Sequence, residues 1–487
     1  VKFIELEFSL TKMQLGWAVS SLTLTSTLAM MVAGPVSDRI GRKRTLFYAA
    51  LLYAISAIAS AFAPTFIILV IARMIGGIGV GASLILAPMY IAEIVPGKIR
   101  GQMVSLNQLN IVVGISVAFF TNYLILRLGK TDLPWVHNLG IGEHNWRWML
   151  GLEFLPAVVY FFALFAVPRS PRWLVMKGKL DEAIQVLKAT RSSEVAEKEI
   201  ELVKLSLNKG EKKEKLRIGE LFKPALKLVL TIGIVVAVLQ QITGINSVFF
   251  YAPMIFEQTG IGTDASFSQA IIVGLTNLVF TVLAILFIDK LGRKPLLIYG
   301  VGSIALFMFI LSYGFSSATY KIDDKGIALL PAEISKTGIT KLKEITYHSD
   351  IEFKSALKEV IGETMFTKHE AELVKNAINA NAMLILIGII GFVAAFAISI
   401  GPVMWVLFSE LFPNKIRGLA ISFVGLINSA VSFSVQLVFP WELSTIGNAS
   451  TFMIYGVFAV LGLAFIIMKV PETKGKSLEE LEIILTK

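Results

Sequence analysis

The chain has no cysteine and only four histidines among its 487 residues. The first lack excludes disulfides, thiolate metal sites and cysteine nucleophiles. The histidines, His137, His144, His348 and His369, fall between the apolar runs without ligand spacing, so no metal site is expected. No Gly-x-x-x-x-Gly-Lys-Ser/Thr loop is present, which argues against ATP-driven chemistry. Gly76, Gly77, Gly79 and Gly81 lie in an apolar helical run, without the strand a dinucleotide fingerprint requires, and point instead to close helix packing. No nucleophile–base pair stands within the apolar runs, so neither an enzyme nor a cofactor is expected. Charge is also scarce, at 16% of residues, with a net excess of +10. A basic balance can signal nucleic acid, but these cations sit at the ends of apolar runs, which reads as membrane topology and excludes that partner.

What fills the chain is apolar sequence: 55% hydrophobic residues and a mean hydropathy of +0.72. Runs of about 20 residues, the length of a membrane-crossing helix, lie near 13–36, 45–63, 66–92, 102–126, 147–167, 226–254, 268–288, 295–315, 381–408, 418–440 and 450–469. Basic residues concentrate in alternate short connections: Arg39, Arg42, Lys43 and Arg44, then Lys98 and Arg100, then Lys290, Arg293 and Lys294, then Lys415 and Arg417. The positive-inside rule places these loops and the C-terminal tail in the cytoplasm of a cell-membrane protein. Segment 316–380 is external and long enough that its lysines do not set topology.

The two ends of the chain repeat each other. Gly34-Pro-Val-Ser-Asp38-Arg39-Ile-Gly41-Arg42-Lys43 recurs as Ile288-Asp289-Lys290-Leu-Gly292-Arg293-Lys294, and the stretch from Pro88 through Glu93 and Pro96 to Arg100 recurs from Val403 through Glu410 and Pro413 to Arg417. The same loops in the same order are the signature of a parallel repeat. In the second half the run 226–254 precedes the first repeated loop, and its counterpart in the first half is not present, so the expectation is twelve helices with the first absent from this sequence. The expected organisation is an N-terminal membrane half (1–167), a cytoplasmic helical linker (168–224), a C-terminal membrane half (225–470) and a cytoplasmic tail (471–487). Helical spacing in the linker is seen at 181–190 and 194–208; a disordered charge run is the alternative.

Within the run 226–254, Leu239–Pro253 carries Gln240, Gln241, Thr243, Asn246 and Ser247 at bilayer depth. Uncharged amides are costly in hydrocarbon unless satisfied. On an ideal helix Gln240, Gly244, Ser247 and Tyr251 share a face, with Gln241 at its edge, and Asn246 joins them only if the helix loosens near Gly244. Such a cluster suits a neutral, hydroxyl-rich ligand, although Asn and Gln also bridge packed helices. Arg73 and Glu153 are ionisable residues within spans and therefore candidates for function, paired with each other or coupled to a proton; snorkelling to the interface is the alternative. The repeated loops turn at Gly41 and Gly292, and Asp38 or Asp289 is expected to cap the following helix or pair with an arginine across the bundle.

These residues resemble the sugar porter family of the major facilitator superfamily, and the resemblance covers nearly the whole chain. It rests on the doubled Asp-Arg/Lys-x-Gly-Arg-Lys loops, Arg73-Met-Ile-Gly-Gly, Pro88-x-Tyr90-x-x-Glu93, Gln240-Gln241-x-x-Gly244-x-Asn246, Gly401-Pro402-x-x-Trp405 and Pro471-Glu472-Thr473-Lys474-Gly475. The local sequence is similar to bacterial proton-coupled xylose symporters and glucose facilitators. The resemblance implies an all-α membrane protein with the major facilitator fold, two six-helix halves and a monosaccharide carried by alternating access. It implies sugar contacts at Gln108, Gln240, Gln241, Asn246, Asn277, Trp405 and Asn428, and aromatic gates at Phe250 and Tyr251. It also implies proton coupling through Arg73 and Glu153. The implied gate network is Asp38, Arg39, Arg42, Glu93, Arg100, Arg172, Asp289, Arg293, Glu410, Arg417 and Glu472. Two departures stand out: Arg169 replaces the glutamate of the family's Pro-Glu-Ser-Pro-Arg, and Ser429 replaces a tryptophan common beside the eleventh-helix amide.

The expectation is thus a monomeric, multi-pass sugar transporter whose partners are a small neutral sugar, a proton and the bilayer. Facilitated diffusion is the alternative, and a membrane sugar sensor a more distant one. Amides offer donors and acceptors to hydroxyls, and an indole face covers the apolar side of a pyranose.

Overall fold

The computed structural model describes residues 2–96, 99–189, 191–198, 200–201, 218–331, 333–334, 336–343, 345–413, 416–474 and 480–481. The side chains of Arg100 and Asp289, both expected gate residues, and linker residues 202–217 lie outside the described residues. Eleven helical spans are long and apolar enough to cross a membrane, five before the linker and six after it. In the first half these are built from α1 (Lys12–Ile40), α2 (Arg42–Ala61), α3 (Phe66–Ile94), α4 (Arg100–Leu128) and α5 (Phe154–Ala166, preceded by the short helix Asn145–Gly151). The second half holds α6 (Lys227–Ile242), α7 (Ile245–Glu257), α8 (Thr263–Leu291), α9 (Arg293–Ser316), α10 (Ala382–Ile398), α11 (Ile400–Leu411), α12 (Arg417–Thr445) and α13 (Asn448–Lys469).

Local chemistry sets the ends of these helices. Thr11 and Gln14 form a reciprocal capping box at the start of α1, and Thr65 and Asn381 cap α3 and α10. The two repeated loops turn alike: Gly41 has φ 102° and Gly292 φ 94°, a region that side chains with a Cβ rarely adopt. Gly41 is itself the cap residue of α2, with no side-chain cap bond, so Asp38 does not take the capping role expected of it.

Two spans are broken rather than continuous. Gly244, at φ 84° and ψ 15°, separates α6 from α7, and Ser399 separates α10 from α11. A Cβ at Gly244 would lie 2.4 Å from the Tyr455 ring, so the break also lets α13 approach closely.

The halves meet toward the face that carries 316–380. There Gly16 packs against the Leu437 backbone, Trp17 lies edge-on to Phe433 at 5.7 Å, and Ser116 Oγ donates to the Gly274 carbonyl at 2.9 Å. Lys130 pairs with Asp264 at 2.6 Å and Lys2 with Glu257 at 3.3 Å. Apart from the Lys2–Glu257 pair, which joins the short helix Lys2–Phe8 to the end of α7, these contacts use the early part of α1 and α8, the late part of α12, and α4 with the residues just after it. Toward the opposite, basic face, Leu106 and Leu286 are exposed, and the described ion pairs Arg42–Glu93 and Arg293–Glu410 each stay within one half.

Segment 316–380 is more than a loop. The short strands β1 (Thr319–Tyr320) and β2 (Ile378–Asn379) pair antiparallel and close it at its base. Above them Tyr320 stacks on Phe353 at 5.2 Å, and Leu357, Phe366, Leu373 and Val374 complete a buried core. The linker, too, has a small core of its own, formed by Trp173, Leu174, Val175, Ala183, Leu187, Ala196 and Ile200.

Glu370 of this insert ties the face together. It meets Lys354 at 3.2 Å and Lys12 of the first half at 3.8 Å, and accepts from Gln258 of the second half at 3.2 Å. Burial alone would raise its carboxyl pKa, but Lys354, Lys12 and the Gln258 bond outweigh it and hold the group well below the usual carboxylate range. A depressed folded-state pKa gives stability that is fully present above the ordinary carboxylate pKa and lost as pH falls below it. Glu370→Gln is therefore expected to cost about 1.5–3 kcal/mol at neutral pH and to flatten the acid limb of a thermal-melt series in detergent. An unchanged midpoint at both pH 7 and pH 4 would remove this tie from the account.

Candidate functional site

The break at Gly244 decides the geometry of the amide cluster. A straight helix would turn Asn246 away; the left-handed residue turns it back, so that Nδ2 donates to Gln241 Oε1 at 2.8 Å and to Ser432 Oγ at 2.8 Å. Gln241 Nε2 donates to Gln240 Oε1 at 3.1 Å and to Asn428 Oδ1 at 3.2 Å. Asn428 Nδ2 in turn reaches Gln240 Oε1 at 2.7 Å and the Ala237 carbonyl at 2.8 Å. Gln240 Nε2 anchors the group on the Gly401 carbonyl at 3.2 Å, next to the second helix break. Gln240, Gln241, Asn246 and Asn428, four of the seven expected sugar-contact residues, thus form one network drawn from α6, α7 and α12.

The other three stand around it. Asn277 is buried on α8 and, among the described residues, makes no hydrogen bond to the network. Trp405 is 48% exposed on α11, edge-on to Phe408 at 6.0 Å, which leaves much of the indole uncovered. Gln108 is exposed on α4 of the opposite half. The aromatic gate positions differ from expectation in one respect. Phe250 is exposed, but Tyr251 is fully buried against Phe439 and donates to the Gln436 carbonyl at 3.2 Å, so it belongs to the core of the second half.

Arg73 and Glu153 do not form an ion pair. Glu153 is accessible and lines a cavity of about 320 Å³ with Tyr53, Ser56, Gly76 and Tyr160, while the Arg73 Nε is buried and lacks a hydrogen-bond partner. The two remain within electrostatic reach of each other. A buried guanidinium nitrogen left unpaired beside a carboxylate in a cavity is an arrangement poised for a second geometry.

The expected gate residues assemble as two matching clusters, one in each half. Arg42 meets Glu93 at 3.1 Å and Asp38 at 2.5 Å; Arg293 meets Glu410 at 2.8 Å. Ser170 donates to Glu93, and Thr473 donates to Glu410 at 2.6 Å. Pro168-Arg169-Ser170 and Pro471-Glu472-Thr473 therefore occupy equivalent places, an extension of the repeat that sequence inspection did not pick out. Glu472 accepts from the backbone of Arg293 and Lys294, both at 3.1 Å, and so caps α9. Arg417 Nε donates to the Phe412 carbonyl at 3.0 Å, while Arg39 and Arg172 are exposed. None of these charged pairs joins the two halves in this conformation; each stays within its own half.

Sequence reasoning missed Ser432, Gln436 and the carbonyls of Gly401 and Ala237. The first two had a signal, because Asn428, Ser432 and Gln436 recur every fourth residue and form one polar stripe on α12. A backbone acceptor exposed by a helix break leaves no such trace.

The comparisons with known proteins give the family and the fold. Residues 5–330 and 360–485 match the family model described as sugar (and other) transporter. The arabinose-proton symporter of Bacillus subtilis (strain 168) is 34% identical over 99% of this chain and 89% of its own length. The D-xylose-proton symporter of Escherichia coli (strain K12) is 34% identical over 96% and 85%. The inward open conformation of the xylose transporter XylE from E. coli superposes with a TM-score of 0.74 at 31% identity, covering 99% of this chain and 93% of that one.

The clusters make a prediction at a place where their described residues differ. At the N-terminus of α2, where the pattern of Glu472 calls for a carboxylate, stands Arg169, which pairs with Glu182 at 3.2 Å instead. Arg169→Glu is expected to supply the missing cap and raise stability by about 1 kcal/mol, read as a higher melting midpoint. A lower midpoint would mean that the Glu182 pair is the interaction that matters. Taken together, the doubled loops, the paired clusters, the family model and the shared fold place this chain in the sugar transporter family of the major facilitator superfamily.

Proposed function

We propose that the protein carries a neutral monosaccharide, a pentose or a hexose, across the cell membrane by alternating access, in symport with a proton. The observation that carries this reading is the amide network itself. Gln240, Gln241 and Asn428 are almost fully buried, yet their polar atoms are spent largely on one another. Mutually bonded carboxamides keep each other satisfied while the site is empty and exchange those bonds for sugar hydroxyls without leaving a donor unpaired. Beside them Trp405 presents uncovered indole for the apolar face of a sugar ring.

The basic face is the cytoplasmic one, by the positive-inside rule; the described contacts between the halves lie on the other face, so in this reading the halves part toward the cytoplasm. Likeness to an inward open xylose transporter supports that assignment. When the halves rock together, Gln108 of α4 closes over the sugar opposite Gln241, and Asn277 contributes from α8. The cytoplasmic clusters around Glu93 and Glu410, with Arg100 and Asp289 in the same loops, then pair across the halves to seal that side. Glu153 carries the proton, and Arg73 tunes it by approaching or withdrawing. The symporters among the relatives support proton coupling over simple facilitation. The protein acts as a monomer, since both sets of helices around the one site come from a single chain.

Two measurements test this reading. Gln241→Ala is expected to weaken sugar binding by about 1–3 kcal/mol, because it removes one partner from a buried network; unaltered affinity for xylose, arabinose and glucose would show that the network is only glue between helices. In energised vesicles sugar is expected to accumulate against its gradient and to lose that accumulation on adding a protonophore. Accumulation that survives the protonophore would rule out proton coupling.

A further inference from the structure

The amide network does not stop within the second half. Ser432 Oγ, which accepts from Asn246, also accepts from Gln436 Nε2 at 2.8 Å, one helical turn further along α12. Gln436 Oε1 then accepts from the hydroxyl of Thr23 at 2.9 Å, and Thr23 belongs to α1 of the opposite half. Gln436 is only 1% exposed, so its carbonyl oxygen has no water to fall back on while the halves are closed at this level. The bond lies at the helix crossing where Gly16 touches the Leu437 backbone and Trp17 meets Phe433, the tightest approach between the halves.

We infer that Thr23 and Gln436 are positioning residues that couple occupancy of the amide site to closure of the face bearing 316–380. The inference rests on the transport reading above and adds the element that links its two parts. The relay has four members, Gln241, Asn246, Ser432 and Gln436, and each holds the next by a single hydrogen bond. When α1 swings away from α12, Gln436 loses its donor and its carboxamide turns to find water. That turn withdraws Nε2 from Ser432, frees the serine oxygen for Asn246 alone and alters the hold of Asn246 on Gln241 Oε1. In the opposite direction, a sugar hydroxyl that donates to Gln241 Oε1 displaces Asn246, which then competes with Gln436 for Ser432. Either event biases the other, as reciprocity of coupled sites requires. Physical continuity alone does not establish coupling; a contact that exists in one arrangement of the halves and not in the other gives it a two-state element to act on.

Thr23→Val keeps the size of the side chain and removes the donor, and Thr23→Ser keeps the donor. Because the chain has no native cysteine, spin labels on introduced cysteine pairs report distances without background. One pair at the exposed Leu133 and Leu329 reads the closed face, and one at the exposed Met176 and Leu291 reads the open face. Thr23→Val is expected to shift the population of sugar-free protein toward separation of the Leu133–Leu329 pair by about tenfold, the scale of one buried hydrogen bond. Sugar counterflow in liposomes is expected to slow in maximal rate with little change in half-saturation, and Thr23→Ser is expected to restore both readouts. A Thr23→Val protein with wild-type distances and wild-type counterflow would overturn the relay. A fall in melting midpoint without the distance shift would overturn it as well, since that is the mark of packing alone. Wild-type protein that fails to exchange any sugar would defeat the transport reading instead, and the distance measurement would still decide whether Thr23 controls closure.

Discussion

A carboxamide in hydrocarbon has to find partners within the protein, and much of this molecule is arranged around that requirement. The break at Gly244 exists at a position where φ is 84°, and it brings Asn246 into reach of Gln241. A second break near Ser399 places the Gly401 carbonyl where Gln240 needs an acceptor. Irregular backbone at membrane depth is tolerated only where it is shielded or lines a cavity, and here it is shielded by α13 on one side and by the amides on the other. Side chains that bond to one another in this way leave few of their donors and acceptors to the hydrocarbon.

Charge is handled by a different device. Each half folds its basic-face ions into a compact cluster, Arg42 with Glu93 and Arg293 with Glu410, and each cluster is finished by a hydroxyl from the segment that follows the half, Ser170 or Thr473. Among the described residues the clusters differ at Arg169 against Glu472, where Arg169 takes Glu182 of the linker as its partner. On the opposite face the insert adds a tie to those the membrane helices make directly. Glu370 reaches both halves at once, so whatever opens that face must also release this carboxylate.

Much of the site was legible because polar residues are conspicuous in apolar runs. Gln240, Gln241 and Asn246 declared themselves by depth, the requirement for a loosened helix followed from the angular position of Asn246, and Asn428 came from the family resemblance alone. Family resemblance supplied Gln108, Asn277 and Trp405, none of which stands out by chemistry alone. The structure places those three around the network rather than in it, because they belong to other helices whose approach depends on the relative position of the halves. The fold of 316–380 was not legible. Its core residues, such as Phe353, Leu357 and Phe366, are spaced like any amphipathic surface helix, and the two-residue strands that close it are too short to leave a periodic signal. Tyr251 was placed at a gate by likeness and is instead buried against Phe439, since a fourfold spacing fixes the helix face but not the neighbour that covers it.

The sequence by itself determined the helices, their order, the duplication and the face on which the amides would gather. Those follow from hydropathy, glycine and spacing, which act over a few turns of one chain segment. Only the tertiary structure decided which partners the polar groups take: that Arg42 turns to Glu93 within its own half, that Arg73 and Glu153 stay apart, and that Gln436 reaches Thr23 across the boundary. Such pairings join residues separated by tens to hundreds of positions, and they depend on how rigid helices are set against each other, a quantity that no local pattern encodes.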